Sequence, residues 1–190
     1  AGFGDPAIVA DRESGNVLLL ACGGNVSYPA ATWAHHQGIA RFRSSDNGKT
    51  WSTYEDIAPA IYQQFKDAGV DVQGLFIGSG LIFHSLTTKV GQYYRLYAVC
   101  LLRTASTGGL NYVLYSDDFG ENWQILGDDA TPGVTGGDEP KAEELPDGSI
   151  LLSSRAYGRI FNIFQFTDVA AGEGSWMTQS ASNANNNGVV

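Results

Sequence analysis

Two charged residues in the last third of the chain, Glu139 and Arg155, have side-chain types and a spacing that could act on an anionic substrate. They bound most of the segment GDEPKAEELPDGSILLSSR (137–155). A carboxylate can serve as a general base, and an arginine can bind a substrate carboxylate through its fork of N–H donors. If both were buried without partners, each charge would cost several kcal/mol. The fold must therefore expose these two groups or hold them together.

A turn within this segment predicts a hairpin that would join the two charges. The sequence LPDG (145–148) fits a type I turn followed by glycine in the left-handed conformation, which makes a three-residue hairpin loop. Such a loop places Leu145 opposite Ser149. The same pairing, continued outward, places Glu139 opposite Arg155 with Cβ atoms about 5 Å apart. An ordinary surface salt bridge, worth about 0–1 kcal/mol, would satisfy the same geometry.

An internal repeat, S-x-D-x-G-x-x-W, indicates how the surrounding elements are built. Aspartate and serine side chains can bond nearby backbone amides and fix a tight turn, glycine takes a positive φ, and tryptophan packs onto the adjacent sheet. We therefore expect a structural role for both aspartates and substantial burial of both tryptophans. The segment at 166–176 contains a weak third copy. The two clear copies consist of Ser44, Asp46, Gly48 and Trp51, and of Ser116, Asp118, Gly120 and Trp123.

The pattern of short apolar runs between turn signals predicts an all-β protein. Roughly twelve candidate strands alternate with turns such as Asp-Asn-Gly and Pro-Asp-Gly, which is typical of consecutive hairpins. The high glycine count of 24 and the aromatic content of 12% agree with this class. One helix is predicted at 58–69, with Pro59 near its start and Gly69 at its end.

The bulk composition excludes several classes of function. A net charge of −9 argues against nucleic acid or an anionic membrane as the main partner. No apolar run reaches the length of about 18 residues that a membrane span needs. The adjacent His35 and His36 have no cysteine or acid at ligand spacing, so no metal site is predicted. The two cysteines, Cys22 and Cys100, are predicted to be buried free thiols, although a disulfide stays open.

Together, the repeat and the hairpin resemble the bacterial exo-α-sialidases. In that family the repeat is called the Asp box and recurs in a six-bladed β-propeller of four-stranded antiparallel blades. The order Asp-Glu-x-Lys followed by EELPDGSILLSSR, with acid and arginine sixteen positions apart, resembles a family segment that carries two active-site residues. The resemblance implies that Glu139 activates a tyrosine nucleophile and that Arg155 is one of three arginines on the substrate carboxylate. Pro140 departs from the more usual polar residue.

The beginning of the chain resembles the same family. The sequence GFGDPAIVADRESG is similar to a family segment in which a Gly-x-Asp-Pro turn precedes a hairpin. This similarity implies that Asp5 lies near the substrate pocket, although turn chemistry before a proline explains Asp5 equally well. Tyr28 and Trp33, in the aromatic loop 23–38, are candidates for the pocket wall.

The resemblance covers nearly the whole chain, but the chain does not contain the whole family domain. It implies that residues 1–190 are the central portion of one propeller domain, incomplete at both ends, with about three blades. The other two arginines, the acid/base aspartate and the tyrosine nucleophile are expected on residues not shown or on another chain. The segment alone is therefore expected to be inactive.

The implied function is retaining hydrolysis of terminal sialic acids from glycoconjugates, without a metal or organic cofactor. The implied partner is a sialylated glycan, and the implied location is secreted, periplasmic or cell-surface. A trans- or anhydro-sialidase would share these residues. A non-catalytic Asp-box propeller for glycan binding or assembly, or a lectin-like β domain, would have no use for a catalytic base at Glu139.

Overall fold

Three antiparallel sheets follow one another along the chain in a computed structural model that describes residues 2–127 and 129–182, with the backbone alone at 78–81. We call these sheets blades 1, 2 and 3. Each contains four strands in sequence order, and blades 2 and 3 each carry one further short strand. The prediction of four-stranded antiparallel blades in an all-β fold is confirmed.

The elements have the following bounds. Blade 1 consists of β1 (Gly2–Ala10), β2 (Val17–Gly24), β3 (Gly38–Ser44) and β4 (Glu55–Asp56), and a 3-10 turn (Tyr28–Ala30) lies between β2 and β3. The helix α1 (Ala58–Asp67) precedes blade 2, which consists of β5 (Gly74–Val90), β6 (Tyr93–Arg103), β7 (Leu110–Ser116), β8 (Gln124–Ile125) and β9 (Val134–Thr135). Blade 3 consists of β10 (Asp138–Glu144), β11 (Ile150–Ala156), β12 (Gly158–Asp168), β13 (Glu173–Trp176) and β14 (Ser180–Ala181).

The hydrophobic core lies between the blades, and strand β6 shows how the sequence produces it. Because successive side chains of a strand point to opposite faces, alternate residues enter different cores. Leu96, Ala98 and Cys100 belong to the cluster shared with blade 1, whereas Tyr97 and Val99 belong to the cluster shared with blade 3. A continuous apolar run is therefore required in a central blade, because a neighbouring sheet covers each of its faces.

Helix α1 covers the boundary between blades 1 and 2. It forms where it was predicted, with a proline in its first turn and Gly69 in the left-handed region (φ 79°) just beyond its end. Ile61, Tyr62 and Phe65 recur at helical spacing, and all three are buried in the core shared by these blades. The Tyr62 hydroxyl also accepts a hydrogen bond from the backbone N–H of Leu75 (2.8 Å).

Both Asp boxes are closed by side-chain bonds to the backbone. In the first, the Ser44 hydroxyl donates to Asp46 (2.8 Å) and accepts from the N–H of Gly48 (2.9 Å), while the N–H of Thr50 donates to Asp46 (2.9 Å). Gly48 has the positive φ of 79° that this turn requires. The second box repeats these bonds at Ser116, Asp118, Gly120 and Asn122.

These bonds predict a dependence of stability on pH. Hydrogen bonds from Thr50 and Ser44 hold the pKa of Asp46 at about 2, below its usual value of 3.8. A depressed pKa in the folded state means that Asp46 stabilises the fold above about pH 4 and that this contribution is lost as the pH falls through about 2. The melting temperature of Asp46→Asn should therefore lie below that of the unsubstituted protein near neutral pH, with the difference narrowing between pH 4 and pH 2. A difference that stays constant across that range would contradict the assignment.

The two box tryptophans differ in burial, which corrects the prediction that both are largely buried. Trp123 is 3% exposed in the core between blades 1 and 2, but Trp51 is 40% exposed. Trp51 occupies the equivalent position in blade 1 and lines an open depression together with Tyr93 and Phe119 of blade 2. Its indole N–H instead donates to the carbonyl of Gly48 within its own turn (3.0 Å).

The weak third copy lies at the equivalent position of blade 3, between β12 and β13, but is built differently. Asp168 accepts one backbone hydrogen bond, from Ala171 (3.2 Å), and Gly172 supplies a positive φ of 73°. Phe166 stands two positions before this aspartate, where the other copies have serine, so no hydroxyl is available to join the aspartate to the glycine. The position of the turn is retained, while its side-chain bonding is not.

Two buried arginines connect successive blades at these turns. Arg41 of blade 1 pairs with Glu55 (2.6 Å) and donates to the backbone carbonyl of Glu121 in the Asp box of blade 2 (2.8 Å). Arg95 of blade 2 is fully buried, pairs with Asp117 through two nitrogens (2.7 and 2.8 Å), and donates to the carbonyl of Ala170 in the turn of blade 3 (2.8 Å). In both cases an acid of the same blade balances the charge, as a buried cation requires. We call these two residues the interblade arginines.

The outer faces of the first and last blades expose apolar side chains. On blade 1, Ile8 (56% exposed), Leu19 and Phe42 form a row across the sheet. On blade 3, the paired residues Leu151 and Ile163 are only partly buried. Rows of this kind are typical of a face that packs against another sheet.

The remaining composition-based expectations concern the thiols and the membrane. Cys22 and Cys100 are buried free thiols, as predicted. Within residues 2–127 and 129–182, no helix has the length and apolar character needed to cross a bilayer.

Candidate active site

A cleft of about 500 Å³ opens where the first strands of the three blades come together. Strand β5 contacts both β1 and β10, so residues at corresponding ends of these strands share one opening. The side chains that carry chemistry in its lining are Asp5, Tyr28, Arg103, Asp138 and Glu139. Three of the predicted site residues, Asp5, Tyr28 and Glu139, are thus brought together.

Both acids at the ends of this cleft, Asp5 and Glu139, have left-handed backbone conformations. Their φ values are 50° and 45°, and each precedes a proline. A non-glycine residue in this region is uncommon and costs about 1–3 kcal/mol, so the surrounding sheet must impose it. Such strain is concentrated at functional sites, where it fixes the direction of a side chain.

The hairpin that carries Glu139 forms with one change in register. The turn is as predicted, with the N–H of Leu145 donating to the carbonyl of Ser149 (2.8 Å), and the predicted pairing holds as far as Lys141 and Ser153. Beyond that point Arg155 is paired with Asp138 instead of Glu139, which corrects the expected register by one residue. The physical reason is Pro140, which has no N–H to donate to the ladder, so that the strand bulges there.

Despite the bulge, Arg155 contacts the predicted acid. Its Nη2 donates to Asp138 (2.6 Å) and its Nε lies 2.8 Å from a carboxylate oxygen of Glu139, an ion pair without aligned hydrogen-bond geometry. The side chains are 35% exposed at Arg155 and 57% at Glu139. Arg155 does not line the cleft itself and adjoins it through these two acids. The Glu139 carboxylate is therefore accessible to solvent, and the guanidinium of Arg155 helps to hold it in position.

Tyr28 forms part of the cleft wall. Its ring meets that of Phe76 edge-on, with centroids 6.2 Å apart, and both residues line the cleft. Burial raises the pKa of Tyr28 above its usual value of 10.0, the cation of Arg103 opposes this, and the negative charge of Asp138 adds to it. Tyr28 is therefore a neutral phenol at neutral pH.

Arg103 is a cleft residue that the sequence reasoning missed. It ends strand β6 after the apolar run LYAVCLL, and its Nη2 donates to the carbonyls of Tyr28 (3.2 Å) and Ala31 (2.7 Å). The available signal was the same one that drew attention to Arg155, an arginine at the end of a buried strand. Asp138, the register partner of Arg155, was also missed as a site residue.

Trp33, which was predicted to line the pocket, lies outside the cleft. It borders a separate depression of about 350 Å³ with residues of the α1–β5 connection. The ammonium of Lys66 lies 4.0 Å from the centroid of its ring, and Tyr62 is its aromatic neighbour at 6.5 Å. These contacts hold Trp33 against helix α1.

No grouping of three or more histidine, cysteine, aspartate or glutamate side chains suited to a metal ion occurs in the part of the chain that the structure describes. The Nε2 atom of His36 lies 3.9 Å from a carboxylate oxygen of Asp56. Among the residues that line the cleft, a carboxylate can transfer a proton and an arginine can bind an anion.

Comparison with known proteins gives related sequences for most of the chain. No family model matches it. A sialidase from Micromonospora viridifaciens is 29% identical over 171 residues, covering 83% of this chain and 24% of the relative. A sialidase from Bacteroides fragilis is 26% identical over 164 residues, covering 81% of this chain and 27% of the relative. The chain thus spans about a quarter of the length of the relatives it matches.

Solved structures share its fold. The intramolecular trans-sialidase from Ruminococcus gnavus, in complex with oseltamivir carboxylate, superposes with a TM-score of 0.65 at 15% sequence identity, over 95% of this chain and 54% of that one. Similarity at this level of identity concerns the fold and not the chemistry. The three blades have the fold of part of a sialidase β-propeller.

Proposed function

Because this chain is related to the bacterial sialidases, we propose that it is part of a retaining exo-α-sialidase that hydrolyses terminal sialic acids of glycoconjugates. The observation that carries the proposal is the constrained position of Glu139, held at φ 45° in the cleft with Arg155 2.8 Å from its carboxylate. An ordinary surface salt bridge would explain the ion pair but not the left-handed backbone of Glu139. The experiment that tests the proposal is an assay of the full-length protein on a fluorogenic sialoside, with and without Glu139→Gln.

In the proposed reaction Glu139 is the base that activates a tyrosine nucleophile. Most glycosidases use two carboxylates, and sialidases with a tyrosine nucleophile are an exception. The substrate already carries a carboxylate at the reacting carbon, which repels an approaching carboxylate. A neutral tyrosine avoids that repulsion, but with a pKa near 10 it needs a proton acceptor at neutral pH. The nucleophile, the acid/base aspartate and two further arginines belong, in this proposal, to residues beyond the segment.

Arg155 is proposed to bind the substrate carboxylate. Its guanidinium can present a fork of donors to a planar carboxylate, which makes binding both strong and directional. Asp138 and Glu139 occupy that fork in the structure, and both are more than half exposed. A substrate carboxylate therefore approaches a cation that is already oriented.

A non-catalytic propeller for glycan binding or assembly is the rival function. The exposure of the Arg155 pair agrees with it as well as with catalysis. The left-handed backbone at Glu139 agrees with both functions, because strained residues occur in ligand-binding sites as well as in active sites. The glycan-binding function would be favoured if the parent protein hydrolyses no sialoside and the Glu139→Gln variant still binds glycan.

We further propose that residues 1–190 are the central portion of one propeller domain, which further blades complete. The apolar row on blade 1 (Ile8, Leu19 and Phe42) and the partly buried Leu151 on blade 3 support this, because blades pack through such faces. The proposed partner is a sialylated glycan, and a substrate on glycoconjugates suits a secreted, periplasmic or cell-surface enzyme.

A segment with two uncovered faces should associate when it is produced alone. We expect residues 1–190 to form oligomers or aggregates at micromolar concentration, measured by light scattering after size-exclusion chromatography. Replacing Ile8 and Leu19 by aspartate should reduce this association. A monomer that unfolds cooperatively without either replacement would contradict the incomplete-domain proposal.

A further inference from the structure

Arg103 is placed like a substrate-binding arginine but bonded like a structural one. It lines the cleft, which Arg155 does not, and it ends a buried strand. Its Nη2, however, donates to three backbone carbonyls of one turn, at Tyr28 (3.2 Å), Pro29 (3.4 Å) and Ala31 (2.7 Å). Its Nε is buried and has no acceptor among the described residues. These contacts direct Nη2 of the guanidinium to the turn and not to a ligand in the cleft.

The turn that Arg103 holds is the one that presents Tyr28. This 3-10 turn spans only three residues, and its N-cap residue makes no side-chain cap hydrogen bond. A single turn of this length has little stability of its own, so its position depends on contacts with the rest of the protein. The guanidinium carbon also lies 5.8 Å from the centroid of the Tyr28 ring, close enough for a cation–π contact.

Strand β5 supports the same turn from below. A Cβ atom built on Gly74 would lie 2.9 Å from the carbonyl oxygen of Tyr28 and 3.2 Å from Nη2 of Arg103. Only glycine therefore lets the turn sit directly on the strand while Arg103 caps its carbonyls. Both blades that supply these groups are present in the described residues, so the arrangement is independent of any further blade.

We infer that Arg103 is a positioning residue, which fixes the Tyr28 turn as one wall of the cleft and so acts on substrate binding only through Tyr28. The inference rests on the proposed function for its kinetic consequence. In the proposed reaction the turn supplies neither the base nor the nucleophile, so its displacement should raise KM and change kcat little. A displaced wall should lower kcat/KM by roughly tenfold to a hundredfold, the effect of a misplaced contact outside the reacting groups.

A double-mutant cycle in the full-length protein tests this mechanism. We expect Arg103→Ala and Tyr28→Ala each to raise KM for a fluorogenic sialoside, and the double variant to be no worse than Tyr28→Ala alone. Arg103→Lys should fall between Arg103→Ala and the parent protein, because a single nitrogen, Nη2, makes the three bonds and an ammonium can donate to the same carbonyls. Effects that multiply in the double variant, or an unchanged KM in Arg103→Ala with only a lower melting temperature, would overturn the inference.

A spectroscopic measurement keeps the test independent of sialidase activity. In protein labelled with ¹³C at tyrosine rings, Tyr28→Phe identifies the Tyr28 signals, and Arg103→Ala should shift and broaden them while the buried Tyr62 stays unchanged. If the parent protein hydrolyses no sialoside, the proposed function fails, and this measurement still decides whether Arg103 positions Tyr28. Tyr28 signals that are the same with and without Arg103 would overturn the inference even in an active enzyme.

Discussion

Replacing Glu139 by glutamine should lower kcat on a sialoside by about 10²–10⁴ while the protein stays folded. Glutamine keeps the shape of the side chain and loses only the ability to accept the nucleophile's proton. The melting temperature should change little, because the carboxylate is 57% exposed and its ion pair with Arg155 is worth about 0–1 kcal/mol at most. Steady-state kinetics of the full-length enzyme and thermal unfolding of the same preparation check the two parts.

A matched control for this substitution lies on the same strand. Glu143 is exposed and outside the cleft, so Glu143→Gln should leave kcat unchanged. Glu144 is unsuitable as a control because it is buried and accepts hydrogen bonds from Leu86 (2.7 Å) and Thr87 (3.0 Å). Hydrolysis at a near-normal rate by Glu139→Gln would refute the assignment and leave the charged hairpin end as a structural pair.

Replacing Arg155 by alanine should act mainly on KM. A hydrogen bond to a charged group contributes about 1.5–3 kcal/mol, so loss of contact with the substrate carboxylate should lower kcat/KM by roughly tenfold to a hundredfold. Arg155→Lys keeps the charge but not the fork, and should fall between the alanine variant and the parent enzyme. Kinetics should be measured on a sialoside and on its methyl ester, which lacks the anionic carboxylate. The kcat/KM values of the variants should differ on the acid and be similar on the ester.

The structure also limits what Arg155→Ala should do to stability. A buried pair broken on one side would cost about 3–5 kcal/mol, but Arg155 is 35% exposed and both of its acids are more than half exposed. The expected loss is therefore about 1 kcal/mol or less. A large drop in melting temperature together with an unchanged KM would show that Arg155 is structural and would remove it from the proposed site.

The features that the sequence predicted well are those whose bonds are local. The Asp boxes close through side-chain bonds that span only a few residues, and the 145–148 turn depends on proline and glycine at fixed positions. The one-residue shift at Arg155 was also local in origin, because Pro140 has no N–H for the ladder. The predicted register assumed a regular ladder through position 140, which requires a backbone N–H that proline lacks.

The features that the sequence did not predict depend on distant parts of the chain. Arg103 became recognisable only when its contacts with the 28–31 turn were visible, more than seventy residues away along the chain. The different burial of Trp51 and Trp123 has the same origin, since identical local patterns meet different neighbours. Trp33 shows it again, because helix α1 and Lys66 determine where that ring lies.

The interblade arginines have a consequence for how such a domain can change during evolution. In the next blade Arg41 and Arg95 bond to backbone carbonyls, of Glu121 and Ala170, and every residue type supplies that acceptor. The acid that balances each arginine lies in the same blade, so donor and counter-charge are inherited together. A mutation that changes a side chain of such a turn therefore leaves these backbone contacts with the preceding blade in place, even where it removes an ion pair such as that between Glu121 and Arg43 (2.6 Å). The turn of blade 3, which has lost the serine of the Asp box and still accepts Arg95, is an example of that freedom.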